Sequence, residues 1–257
     1  MDTTTFRSQL IATRDKRHSK NHPFFRMWAR GELTKRQTAL YCIQHYHFVG
    51  ETLGWLAYEA AQVPDREVKG YLIENLYDEE NPRDPHLHML TDYVLDCGLT
   101  RESIEKATVL PGTESLQNWG WRLVYQRPWQ AALAGIFIGL ESQFLDICKE
   151  LTPALHKYYG YAPGAREIRF FEEHIVADAI HEAKGFTIVE RYCTTPELQE
   201  QALKAVEEAT IKRWRYMTGI YWFALYGKVD DTLPFPEEEP VNIQAVESPK
   251  EEIQSQL

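Results

Sequence analysis

His174-Ile-Val-Ala-Asp178-Ala-Ile-His181 places two histidines and an aspartate at offsets of four and seven. On a helix those offsets stack the three side chains along one stripe. The residues between them are apolar, so the segment reads as a core helix, where polar groups without partners are costly. Imidazole nitrogens and a carboxylate together suit a borderline first-row metal such as iron, manganese or zinc. Read alone, the stripe also fits a solvated polar face, since Glu172, Glu173 and Glu182 lie nearby.

Outward from this stripe the helical period persists along nearly the whole chain, and strand alternation is scarce. Helices are predicted over 4–17, from the cap Thr34 to 62, and over 66–80. The run Asn81-Pro82-Arg83-Asp84-Pro85 interrupts the pattern, and helix resumes over 86–96 until Gly98 stops it. A short helix begins at Thr100, Thr113 caps a segment to 125, and long helices follow over 128–151 and 165–189. Thr195-Pro196-Glu197 then opens the last helix, to 225, with a cap and a proline in the first turn. The expected fold is all-α, a single bundle of about seven helices over 1–228. Residues 229–257 form an acidic, proline-rich tail, expected to be disordered or draped on the surface.

The 257 residues carry a formal net charge of -10, which argues against a nucleic-acid partner. Cys42, Cys97, Cys148 and Cys193 are widely spaced and read as reduced core thiols of a cytoplasmic protein. No signal-peptide stretch opens the chain, and no window approaches 18 uncharged apolar residues, so neither membrane span nor membrane partner is expected.

In a bundle, polar residues on inward faces need individual explanations. Glu141 sits in the run Ala131-Ala-Leu-Ala-Gly-Ile-Phe-Ile-Gly-Leu-Glu141-Ser-Gln-Phe-Leu. At helical offsets it shares a face with Ala134, Phe137, Ile138, Phe144, Leu145 and Cys148, where a lone carboxylate is disfavoured. Glu79 and His86 are seven apart across the proline-broken segment, with Glu80 and His88 as competitors. Glu51 is a candidate further ligand or a partner to one. Tyr41, His45, Phe48, Trp55, Phe137 and Tyr221, with Glu51, are the candidate lining of a substrate pocket. Arg26, Lys184 and Arg213 are candidates to hold a substrate carboxylate.

These residues resemble the haem-oxygenase-like helical superfamily, within it the PqqC-like and CADD-like di-iron oxidases related to TenA. The likeness covers about residues 5–226. It rests on His22-Pro23-Phe-Phe-Arg-Met-Trp28, Glu74-Asn-Leu-Tyr-Asp-Glu79-Glu80 followed by His86, Gly139-Leu-Glu141, and the opening stripe. The resemblance implies metal ligands Glu79, His86, Glu141, His174, Asp178 and His181. It also implies two Fe2+ ions, with manganese an alternative, O2 as co-substrate, a homodimer, and oxidation of a small amino-acid-like or fatty-acid-like molecule in biosynthesis. Two departures stand out. CADD-type members that make para-aminobenzoate from their own tyrosine carry a Tyr after His-Pro, where this chain has Phe24 and Phe25. They also carry a lysine where this chain has Leu151, with Lys149 two residues before it. Both argue against self-sacrificing synthesis here. The alternatives are a cofactorless PqqC-like oxidase and a non-catalytic helical binding protein.

Overall fold

The computed structural model describes residues 1–229, apart from the side chains of 176–181. The tail reading therefore lies outside the described residues. Eleven α-helices occur among them: α1 Thr3–Asp15, α2 Pro23–Ala29, α3 Lys35–Gln62, α4 Arg66–Glu79, α5 His86–Asp96, α6 Arg101–Glu105, α7 Pro111–Gln126, α8 Trp129–Leu133, α9 Ser142–Tyr159, α10 Arg169–Tyr192 and α11 Pro196–Tyr226. The fold is all-α as expected. The helix number exceeds seven because the short helices α2, α6 and α8 stand as elements of their own beside the long ones.

Local chemistry sets most boundaries. Thr34 and Gln37 form a reciprocal cap at the start of α3. Thr195 accepts from the Leu198 amide ahead of α11, and Pro196 fills its first turn. His22 caps α2 through Nδ1, which accepts from the Phe24 amide at 3.2 Å. Burial holds that imidazole neutral, with its pKa lowered to about 3. Thr113 does not cap α7, which starts two residues earlier; its hydroxyl instead donates to Gln44 Oε1 at 2.7 Å.

The expected long helix over 128–151 departs most from its reading. Between α8 and α9 the residues Ala134–Glu141 are wound as a π-helix, a form that often marks function. Gly139 and Gly135 let this segment press against α11: a Cβ on Gly139 would overlap the Ala209 methyl. Carbonyls of the segment find side-chain donors, Ser142 Oγ to Ile138 O at 2.8 Å and Gln143 Nε2 to Gly139 O. The stretch Trp129–Tyr159 is long and apolar enough to cross a membrane, contrary to the sequence expectation. In the fold 89% of its most apolar window is buried among the other helices, so it serves as the central core helix.

Gly120 of α7 lies flat against the Trp55 ring of α3, with no room for a methyl. Gly120→Ala should destabilise the fold by about 3 kcal/mol, the upper range for overpacking a core. Gly50, on the same α3 but with open space around it, is the control: Gly50→Ala should be neutral or stabilising by up to ~1 kcal/mol. Urea denaturation of both variants measures the difference.

Candidate metal centre

Glu79 closes α4 and His86 opens α5, so the proline-broken run is a turn between two helices rather than a distorted single helix. Their side chains meet across it, His86 Nδ1 2.8 Å from Glu79 Oε2. Arg169, at the start of α10, holds the turn by pairing with Asp84. It also reaches Asp92 at 3.5 Å. One guanidinium thereby ties the α4–α5 corner to the helix carrying the histidine stripe. His174 arrives from α10 with its ring centroid 4.5 Å from that of His86.

Glu79, His86 and His174 each offer a ligand atom, and these atoms lie within 4.8 Å of one another. Two ligands of one first-row ion are at most roughly 4 Å apart, so a small inward turn of the side chains would let one cation take all three. His174 Nδ1 donates to the Phe170 carbonyl at 2.6 Å. That bond fixes the tautomer and leaves Nε2 with its lone pair, the usual arrangement of a ligating histidine. The donor set of imidazoles and carboxylates therefore fits iron, manganese or zinc.

Glu141 lines the same cavity as Glu79 and His174, at the end of the π-helix. Its neighbours there are Ile136, Leu140 and Phe144. Phe137, expected beside it, instead packs on Tyr71 at 5.3 Å, because π winding breaks the α-helical offsets. Glu80 and His88, the competing candidates, are exposed. Asp178 and His181 follow His174 on α10, and their side chains lie outside the described residues.

The cavity is small, about 80 Å³, below the range usual for drug-sized ligands, so it suits only a small molecule. Of the predicted lining residues, His45 and Phe48 face it; Tyr41, Glu51, Trp55, Phe137 and Tyr221 do not. Tyr41 stacks behind His45 at 5.0 Å, Glu51 accepts from Trp121 Nε1 at 2.7 Å, and Tyr221 packs toward His22 at 6.1 Å. Trp55 is spent on Gly120. The α3 wall is instead His45, Val49, Thr52 and Leu56, with Phe48 and Leu53 beside them. The predicted residues of α3, Tyr41, His45, Phe48, Glu51 and Trp55, also step by three and four, but beyond His45 the cavity meets positions 49, 52 and 56, each one residue further along the helix. Asn75, one turn before Glu79, also lines the cavity and was not anticipated; its offset of four from Glu79 was the available signal. Of the three basic candidates, Arg213 lines the cavity. Lys184 pairs with Glu74 at 2.9 Å, and Arg26 reaches Asn21 at 3.4 Å.

His45 is kept neutral, its pKa well below the ordinary range, first by burial and then by the nearby Arg213 and His174. Burial pushes the Cys97 thiol up to about 11 and the Cys193 thiol up to about 12. Neither cysteine is poised as a thiolate nucleophile.

Residues 39–213 match a family described as iron-containing redox enzymes. A 4-aminobenzoate synthase of Nitrosomonas europaea is 29% identical over 231 residues, covering 86% of this chain and 93% of the relative. A 4-aminobenzoate synthase of Chlamydia muridarum is 26% identical, covering 80% and 85%. Among solved structures, a domain with a heme oxygenase-like fold from Shewanella denitrificans superposes with a TM-score of 0.73 at 18% identity. It covers 91% of this chain and 99% of its own. A TenA homologue from Pseudomonas syringae gives a TM-score of 0.70 at 16% identity, covering 87% and 94%.

Proposed function

This chain belongs to the family of iron-containing redox enzymes, and we propose that it is an O2-dependent oxidase of a small organic molecule held beside a two-iron centre. The observation that carries the reading is the meeting of Glu79, His86 and His174 at the wall of an apolar cavity. In this reading those three residues and Glu141 are metal ligands, and Asp178 and His181 complete the set. Manganese is the alternative ion, because the donor set alone does not separate the two. Bound iron would supply the electron transfer to O2 that no side chain can provide.

The protein's own residues would do the rest. Phe170 O holds the His174 ring with Nε2 toward the donor cluster. Arg169 fixes the α4–α5 corner, so that Glu79 and His86 stay in register with α10. Phe48, Leu56, Ile136, Leu140 and Phe144 exclude water, which strengthens every electrostatic interaction inside. The 4-aminobenzoate of the relatives' name is the first product to look for. Phe24 and Phe25 occupy the segment after His-Pro and are fully buried against Tyr41 and Trp28. With no tyrosine in that segment, we favour an external substrate.

Anaerobic loading with ferrous salt should give a protein that retains iron through gel filtration and consumes O2, whereas chelated protein consumes none. Oxidation by iron-free protein would favour the cofactorless alternative, and a chain that takes up no metal would favour a binding protein. Free Fe2+ at 100 times its dissociation constant should stabilise the fold by ~2.7 kcal/mol. Differential scanning fluorimetry should register this as a rise in Tm of roughly 5–10 °C.

A further inference from the structure

Arg213 is 2% exposed, yet it lines the cavity beside the donor cluster. Its surroundings fix its direction. Gln143 Oε1 accepts from both the amide and the hydroxyl of Ser19, at 2.7 and 2.8 Å. The Ser19 proton is thereby committed, and its oxygen accepts from Arg213 Nε at 2.9 Å. The guanidinium lies over Phe144, 5.9 Å from that ring's centre, and Phe144 is itself 5.0 Å from the His174 ring. Among the described residues Arg213 has no ion pair, and its Nη2 is buried without a hydrogen-bond partner. An orphaned donor on a buried guanidinium is expensive, since each such bond to an ionised group is among the strong ones. Glu79 and Glu141 share the cavity with it, but in the oxidase reading their charge is taken up by metal.

From this we infer that Arg213 is the anchor for a substrate carboxylate, and that the substrate is a small apolar monocarboxylic acid. Its carboxylate sits against the Nη edge of Arg213, and its body lies along Phe48, Leu56, Leu140 and Phe144. The inference rests on the oxidase reading and narrows its substrate class. A neutral amide can accept from Nη2 through its carbonyl but brings no charge to the buried guanidinium, so its bond is the weaker one.

Calorimetric titration of the anaerobic ferrous protein tests this, with benzoate and hexanoate against benzamide and hexanamide, iron content being measured on the same samples. The acids should bind roughly 10- to 100-fold more tightly than the amides. Arg213→Gln should remove that preference while still binding iron, and Arg213→Lys should keep part of it, having the charge without the fork. Equal binding of acids and amides by the wild-type protein would overturn the inference without any variant. So would a preference that survives in Arg213→Gln, because the metal would then be its source. Iron retained with no acid preference leaves the oxidase reading standing; a protein that takes up no iron sinks both.

Discussion

Glu141→Ala should lower kcat/KM for O2 consumption at least ~10³-fold, about 4 kcal/mol of barrier. It should also abolish the rise in Tm on adding ferrous iron. Glu141 ends a π-helical stretch in a wall that is otherwise Ile136, Leu140 and Phe144. A carboxylate in such company is costly unless it meets a cation or a donor. Removing it takes away a charge that the metal needs and leaves an apolar wall largely intact. The variant should therefore fold and fail to hold iron. Glu51→Ala is the contrasting case: Glu51 accepts from Trp121 Nε1, away from the donor cluster. Losing that bond should cost about 1 kcal/mol of stability, with iron content unchanged. Metal analysis of the two purified variants, beside their melts, decides whether Glu141 is a ligand. Full iron occupancy in Glu141→Ala would remove it from the centre.

Glu59→Gln should erase a large pH dependence of stability. Glu59 is 1% exposed on α3, and neither carboxyl oxygen has a hydrogen-bond partner among the described residues. Burial alone raises its pKa from 4.5 to about 8. Between those values the folded protein keeps the proton and the unfolded chain does not. Stability therefore falls as pH rises from about 4.5 to about 8 and levels off above, where both states are ionised. The full swing is on the order of 5 kcal/mol. An amide of the same shape cannot titrate, so Glu59→Gln should be the more stable protein at pH 8.5 and lose its advantage by pH 5. Urea titrations at the two pH values check this; parallel curves for both proteins would contradict it.

Much of the fold was legible where local chemistry decides it. The Thr34–Gln37 cap, Thr195-Pro196 and the stop at Gly98 mark ends that need no tertiary partner. The π stretch was not legible, because periodicity carries no mark of it and the helix packed against it, α11 at Ala209, lies seventy residues further along the chain. Glu79 and His86 could be paired from spacing, although the pairing works through a turn. On α3 the cavity faces His45, Val49, Thr52 and Leu56, a stripe of the same three-and-four spacing but one residue out of phase with the predicted one, and phase is set by the neighbouring helices rather than by the period. Arg213 could not be told from Arg26 or Lys184 on sequence, since its burial depends on Ser19 and Gln143, both far away in the chain.

The π stretch also sets a phase. Each residue of an α-helix advances about 100° around the axis, so the faces of Trp129–Leu133 and Ser142–Tyr159 are offset by the winding between them. A single-residue insertion or deletion within 134–141 would hardly alter the composition of this apolar run, yet it would swing Glu141 away from Glu79 and His174. Related chains aligned through this run by hydrophobicity alone can therefore be one residue out of step at the carboxylate. The anchor for such an alignment is Ser142-Gln143, whose side chains bond back onto Ile138 and Gly139.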